Sequence, residues 1–410
     1  MACYALYRQP YSNHFTAIRH PSLPLVLPSL EALDGRTGFV IAPFEIGENT
    51  PLVLIPEEGN EIEQCVIPSL SSGLSPSGLA APPCHPSPVW EGEDTLAIEE
   101  ANRFGEETLA IKEGKRSNVI SPSHTGEGWQ GGAASPDGER PGLASYASDF
   151  QRFSLAVRSG RFAKLVLSRS EECSLPDGLD ADALFFRACH AFPRAMVMLF
   201  STPLTGTWLV ASPEILLDYQ PPYFCTMALA GTMPHSEGLP TWSEKNQREQ
   251  HVVEQYIADT LAPLAARIIK DGPRTVHAGN LLHLRTDFRF VPREDVSLGQ
   301  LLQSLHPTPA VCGLPKAEAL DFIRHNESSA RRYYTGFAGP LALNGETHLY
   351  VTLRCMEIAD GKAILHAGGG IMPDSVLADE WRETCHKMLK TLLLTPPERA
   401  GSIYPRAITF

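Results

Sequence analysis

Short apolar runs set between turn residues open the readable pattern of this chain. Phe39-Val40-Ile41-Ala42-Pro43-Phe44 and Leu52-Val53-Leu54-Ile55 predict two strands. Periodicity then fails from about Glu57 to Ala144, where Ser, Gly and Pro dominate, as in Ser71–Pro88 and Ser121–Gly142. This stretch carries an acidic near-repeat, EDTLAIEE at Glu93–Glu100 and EETLAIKE at Glu106–Glu113. A segment so long and so poor in β-branched residues reads as an inserted, largely disordered excursion over 57–145, tolerated by the fold rather than built for a partner. Residues 1–56 then supply N-terminal strands of the same domain, whose main body is 146–410.

Apolar periodicity resumes at Tyr146. Phe150, Phe153, Ala156 and Val157 share a helical face that Gly160 ends. In Ala163–Arg169, Leu165 and Leu167 alternate with Lys164 and Ser168, so a strand would point Lys164 away from the leucines. A helix over Asp182–Ala191 and strands over Ala195–Phe200, Thr207–Ala211 and Tyr223–Leu229 come next. Ser212-Pro213-Glu214 has the form of a helix start, with Glu214 in the first turn. Thr241 and Glu244 have capping-box spacing before a long helix. Val253, Tyr256, Ile257, Leu261, Leu264 and Ile268 would be its buried stripe, and Gly272-Pro273 its stop. Strands at Leu281–Leu284, Leu341–Leu343, His348–Thr352 and Ala363–His366 surround a proline-punctuated loop at Leu305–Pro315 and a helix at Ala317–His325. The order predicts an α+β domain around a large sheet core, not a βαβ alternation.

The pattern converges near the C-terminus, at His366–Lys390. Gly368, Gly369 and Gly370 permit φ > 0 and a close backbone approach to a ligand. A helix beginning near Leu377 puts Trp381, Met388 and Leu392 on its apolar stripe. Glu380, Glu383 and Lys387 fall on the other face. That face is either an ordinary solvated one or an oxygen-ligand metal site beside a glycine-lined anion pocket.

Composition narrows the classes. The chain has 410 residues and a net charge of −13 without basic stripes, which argues against nucleic acid as a partner. No apolar run approaches a membrane span, and MACYALYRQPYSN lacks the layout of a secretion signal. Nine cysteines are scattered without a CxxC pair, as expected for reduced thiols in a cytoplasmic protein. Neither a G-x-G-x-x-G after a strand nor a Walker sequence supports a nucleotide fold.

Nine strings, in one order across about Tyr146–Leu392, resemble the chorismate-utilising enzymes and, among them, the isochorismate synthases. They are AKLVLSR (Ala163–Arg169), ASPEILL (Ala211–Leu217), LAGT (Leu229–Thr232), SEKNQREQ (Ser243–Gln250), HLRT (His283–Thr286), LHPTPAVCGLP (Leu305–Pro315), YYTG (Tyr333–Gly336), TLRC (Thr352–Cys355) and AGGGI through EWRETCHKMLKTL (Ala367–Leu392). The short N-terminal part looks like that of menaquinone-type members.

The resemblance implies a chorismate-binding-enzyme fold, a β-sandwich of mostly antiparallel strands with helices packed outside. It implies chorismate as substrate and Mg²⁺ as cofactor, the metal held by Glu249 and Glu383, with Glu380 and Asn246 reaching it through water. Carboxylate oxygens with retained waters suit that ion. It makes Lys164 the base that activates water and Glu214 the acid that protonates the leaving hydroxyl; these roles need a lowered lysine and a raised carboxyl pKa. Arg354, Tyr334 and Lys387 would meet the carboxylate end of the substrate, Arg354 by its bidentate fork. Gly231, Thr232, Gly336, Gly368 and Gly370 would supply close contacts, and His283 would stand near the ring. The family usually has Asp where Asn246 stands and His where Gln250 stands.

Lys164 stands where anthranilate synthases have glutamine, and Ala230 where aminodeoxychorismate synthases have lysine, so water is the expected nucleophile. The expected reaction is water attack at C2 with loss of the C4 hydroxyl, in a menaquinone-type monomer or weak homodimer. Salicylate synthase, which goes on to eliminate pyruvate, is the runner-up. A catalytically silent homologue is a third reading, supported by Asn246 and Gln250.

Overall fold

The computed structural model describes residues 3–58, 61–68, 142–176, 179–234, 241–278 and 281–389. Six strands come first: β1 (Cys3–Arg8), β2 (His14–His20), β3 (Leu25–Leu27), β4 (Gly38–Ala42), β5 (Leu52–Pro56) and β6 (Glu61–Val66). After them come α1 (Leu143–Arg158), β7 (Lys164–Ser174), α2 (Ala181–Ala191), β8 (Met196–Thr202), β9 (Gly206–Ser212), β10 (Ile215–Gln220) and β11 (Tyr223–Pro234). The remainder is α3 (Glu244–Leu261), β12 (Ala265–Ala278), β13 (Leu281–Pro292), α4 (Leu298–Leu305), β14 (Gly313–Leu314), α5 (Lys316–Asn326), β15 (Phe337–Leu341), β16 (Thr347–Val351), β17 (Cys355–Ala359), β18 (Lys362–Ile371) and α6 (Leu377–Lys387).

The strands form two sheets, β14-β7-β18-β17-β9-β8-β1-β2-β6 and β12-β13-β11-β10-β16-β15-β4-β5-β3. Pairings among the described strands are antiparallel, as in β7 with β18, β8 with β9 and β11 with β13. Strand side chains alternate between faces, and central strands buried on both faces read as continuous apolar runs. In β8, Met196, Met198 and Phe200 join Phe39, Ile41, Trp208, Tyr333 and Tyr350 in the layer between the sheets. Val197 and Leu199 face the other way, onto Leu184, Phe185 and Ala188 of α2. β4 divides likewise: Phe39 and Ile41 point between the sheets, while Val40 and Ala42 join the cluster under α3 and α4. Each such large side chain contributes about 1.5–3 kcal/mol through burial. Helices α1, α5 and α6 cover Leu165, Leu167 and Ile371 of β7 and β18. The expected α+β sandwich with outer helices is thus the observed one.

Four local expectations are corrected. Ser212-Pro213-Glu214 starts no helix: β9 ends at Ser212, the Glu214 amide donates to Ser212 Oγ at 3.2 Å, and β10 begins at Ile215 in the opposite sheet. The serine caps a turn between strands by the same hydrogen bond it would use at a helix start. The long helix begins at the Ser243 cap, whose side chain accepts from Asn246 N, rather than at a Thr241 box. It stops at Leu261, because Pro263 follows the Ala262 cap and a proline ring cannot continue a helix. Ile268 therefore lies in β12, 37% exposed, and Gly272-Pro273 falls at a register break between Asp271 and Arg274. Finally, β6 pairs with β2 over Glu61–Val66, inside the stretch expected to be an insertion. Alternating Ile62 and charged residues make an edge strand without a long apolar run. The acidic near-repeat and Leu392 lie outside the described residues.

Two of the places where the chain crosses from one sheet to the other are neighbours. Pro213–Glu214 joins β9 to β10, and Thr352–Arg354 joins β16 to β17. The crossings are tied together, since Ala211 N donates to Arg354 O at 3.0 Å and Val351 N to Glu214 O at 3.0 Å.

Candidate active site

A cleft opens where these crossings meet the glycine end of β18. Its lining includes Glu214, Gly231, Thr232, Glu249, His283, Tyr334, Arg354, Gly368, Gly370 and Lys387, all expected from the sequence. The elements explain the convergence. β7 pairs with β18 so that Gly368 faces Ser168 and Gly370 faces Val166. The glycines run as extended strand and are not among the residues with positive φ, so the freedom they permit is not used here. What matters is their missing Cβ. A methyl on Gly370 would sit 2.2 Å from Glu249 Oε1 and 2.7 Å from Lys164 Cε, and one on Gly368 would sit 3.0 Å from the Tyr334 hydroxyl.

Lys164 lies behind Gly370, wholly buried, with Nζ 2.9 Å from Glu249 Oε1. Burial alone would raise the Glu249 pKa, but the Lys164 ammonium, with Lys245 and Lys387 further off, brings it below the ordinary value. Glu214, 2% exposed, goes the other way. Burial dominates the opposing pull of Lys164 and Lys387 and pushes its carboxyl up to about 8. At neutral pH Glu214 therefore carries a proton to give.

At the far wall, His283 Nδ1 stands 3.1 Å from Gly231 O and 3.3 Å from Thr232 Oγ1. A carbonyl can only accept, so Nδ1 carries the proton and Nε2 offers its lone pair to Arg354 Nη2, 3.1 Å away. Burial, followed by the nearby Arg354 and Lys387 charges, holds His283 well below its ordinary pKa, as a neutral ring. Arg354 itself is brought down to about 10 by burial, with Tyr334 and Glu383 opposing the shift. Its φ of 48° places it in the left-handed region, which costs a non-glycine residue about 1–2 kcal/mol. The crossing between sheets fixes that conformation and aims the guanidinium into the cleft.

Helix α6 brings two more carboxylates to the glycine strand. A methyl on Gly369 would lie 3.1 Å from Glu380 Oε2 and 3.2 Å from Glu383 Oε1. Three lysines answer three glutamates: Lys164 with Glu249, Lys387 with Glu383 at 2.7 Å, and Lys245 with Glu380. Lys387 also donates to Gly368 O at 3.0 Å. Burial and the neighbouring Glu383 raise the Glu380 pKa, with Lys245 offsetting part of the rise. Glu380 Oε2 is buried with no hydrogen-bond partner. An orphaned carboxylate oxygen beside Glu383 at Gly369, one residue along β18 from the Gly370 that Glu249 faces, fits a hard cation that prefers oxygen donors. With the lysines engaged, the described residues hold no group of three His, Cys, Asp or Glu side chains in ligand geometry.

Two expected contacts are placed elsewhere. Gly336 does not line the cleft; its missing Cβ makes room for the Ala42 carbonyl, which a methyl would approach to 2.0 Å. Asn246 turns its amide to Thr232 O at 3.2 Å and so braces β11, a bond that a carboxylate could not donate. Sequence reasoning also passed over Gln250 as a structural residue, Lys245 and His366. His366 lines the cleft between Trp208 and Tyr334, its ring 5.2 and 5.5 Å from theirs. Burial, then Arg332, brings it down to about 4. Its only sequence signal was its place just before the glycine run.

A family model described as chorismate binding enzyme matches residues 133–394. Among known proteins, the chain is similar to the salicylate biosynthesis isochorismate synthase of Pseudomonas aeruginosa, 33% identical over 244 residues, 57% of this chain and 51% of that protein. It is also similar to the putative isochorismate synthase MenF of Mycobacterium tuberculosis, 32% identical over 257 residues, 58% of this chain and 69% of that protein. The match thus spans about half the length of the Pseudomonas relative. Two solved structures have the same fold: a putative 2,3-dihydroxybenzoate-specific isochorismate synthase, DhbC, from Bacillus anthracis, and MenF from Escherichia coli. The first has a TM-score of 0.68 at 21% identity over 95% of both chains; the second has 0.68 at 19% identity over 96% of this chain and 89% of that one.

Proposed function

The chain belongs to the chorismate-binding enzymes, and from that premise we propose that it is a soluble isochorismate synthase acting on chorismate with Mg²⁺. The observation that carries this reading is a protonated buried glutamate lining the cleft, Glu214, with a buried lysine, Lys164, directly behind the Gly370 wall of the same cleft. A hydroxyl relocation needs both: a base to take a proton from water and an acid to give one to the departing hydroxyl.

In this reading Lys164 acts as the free amine, after the proton it holds in its pairing with Glu249 has left to solvent, and removes a proton from a water as its oxygen bonds to C2 of the ring. The ring double bonds shift, the C4–O bond breaks, and Glu214 delivers its proton to the leaving hydroxyl. One water enters and one leaves, so the composition is unchanged. Arg354, oriented by His283, takes a substrate carboxylate, and the extended glycines let the ring lie against the β18 backbone. Glu249 and Glu383, with Glu380 reaching the ion through water, would hold Mg²⁺, which would supply positive charge for a substrate carboxylate. The names of similar proteins include isochorismate synthases of salicylate biosynthesis and of menaquinone-specific type.

The test is product analysis by chromatography, with purified protein, chorismate and Mg²⁺. Isochorismate without pyruvate, abolished by EDTA and restored by added Mg²⁺, is the expected outcome. Salicylate with pyruvate would favour the lyase reading, and absence of turnover would favour a silent homologue.

A further inference from the structure

The β11–β13 ladder slips between Ala230 and Thr232, and Gly231 bulges there with φ 64°. A bulge disrupts ladder pairing, and a buried backbone donor needs an acceptor from elsewhere. Ala230 N finds one in Gln250 Oε1, at 2.8 Å. The same carboxamide donates through Nε2 to Ala228 O at 3.2 Å and to Thr286 Oγ1 at 3.3 Å. The Thr286 hydroxyl donates on to Glu254 Oε2 at 2.7 Å, and Glu254 is ion-paired with Lys270. Gln250 is 2% exposed, and three hydrogen bonds lock this carboxamide to both strands on the Ala230 side of the bulge.

The bulge in turn faces the cleft. Gly231 O receives His283 Nδ1–H, which leaves Nε2 to accept from Arg354. A short chain of contacts therefore runs from Gln250 through the Gly231 carbonyl and the His283 tautomer to the guanidinium. We propose that Gln250 is a positioning residue for substrate binding: it fixes the Gly231 bulge, and through the bulge the His283 tautomer and the Arg354 fork. This rests on the reading that Arg354 takes a chorismate carboxylate. Gln250 touches no substrate atom, so its loss acts on binding more than on the chemical step.

The experiment compares wild type with Gln250→Leu, Gln250→His and Gln250→Glu. It reads the ¹⁵N signals of His283 in ligand-free protein, then KM and kcat for chorismate, and Tm separately. Gln250→Leu is expected to raise KM about tenfold, leave kcat within about threefold, and turn the fixed Nδ1–H signature into a tautomer mixture. Gln250→His, whose ring offers one acceptor and one donor, is expected to recover most of the KM. Gln250→Glu, which sets a carboxylate against Ala228 O, is expected to behave no better than leucine. A wild-type KM and an unchanged His283 signature in Gln250→Leu would overturn the proposal, whatever happens to Tm. Should that variant not fold, Thr286→Val removes one partner of the carboxamide; a KM rise of about threefold supports the proposal and an unchanged KM and tautomer overturn it. If wild type leaves chorismate untouched, the functional reading fails, while the His283 signature still decides whether Gln250 sets the tautomer.

Discussion

Glu214 is held as an acid at neutral pH by its position, since burial outweighs two nearby lysines and brings it to about 8. The activity limb follows directly: kcat/KM falls about tenfold per pH unit above pH 8 as the acid loses its proton. Stability follows the same group. Its folded-state value lies above the ordinary 4.5, so the folded protein holds the proton more tightly than the unfolded chain. That contribution is full below pH 4.5 and is lost as the pH rises through 8. Glu214→Gln removes the titration, so it should abolish turnover yet unfold at a higher temperature than wild type at pH 7–8. The gain has a ceiling of about 3 kcal/mol at pH 7, from the pKa difference. Scanning calorimetry beside activity assays checks it; a variant both active and less stable would contradict the assignment. At this scale the sequence was informative about identity and silent about environment. Lys164 and Glu214 were legible through AKLVLSR and ASPEILL. That Asn246 turns to Thr232 O, or that Gln250 bonds the Gly231 bulge, depends on contacts between β11 and α3 that no local pattern encodes.

Glycines show how elements divide the work. Gly370 and Gly336 were both read as substrate contacts, but their missing Cβ atoms serve different ends. At Gly370 a methyl meets the side-chain ends of Glu249 and Lys164; at Gly336 it meets the Ala42 carbonyl and the Pro43 backbone. Gly370→Ala should therefore fold with a Tm within a few degrees of wild type and lose at least 100-fold in kcat/KM. Gly336→Ala should be destabilised by about 1–3 kcal/mol, the usual range for forced overpacking. Thermal melts and kinetics on the pair check this, and the reverse assignment of defects would contradict it. Elements with strong periodic signals, such as α2, β8 and α6, were legible because one buried face or one apolar run defines them. The misread ones had signals with two structural uses. Ser-Pro-Glu begins helices and also makes turns, and Gly272-Pro273 breaks helices and also sits at strand bulges. Two signals were simply overlooked: Pro263 behind α3, and the Ser297/Gln300 capping box that opens α4.

The candidate site lies where two neighbouring crossings join the sheets. Glu214 and Arg354 occupy those two crossings, Lys164 and Gly368–Gly370 come from one sheet, and Thr232 and His283 come from the other. Such a site needs both sheets, which explains why its residues lie more than two hundred apart in sequence, from Lys164 on β7 to Lys387 on α6. The sandwich itself was legible chiefly through resemblance, because alternation along one strand says which face is buried and not which strand lies opposite. The central claim is that Lys164 activates a water for attack at C2. It is tested most directly by running the reaction in oxygen-18 water and locating the label in isochorismate by mass spectrometry and NMR. One oxygen-18 at the C2 hydroxyl with wild type, and no labelled product with Lys164→Ala, is the expected result. Isochorismate formed without oxygen-18 at C2, or labelled at the wild-type rate by Lys164→Ala, would contradict it.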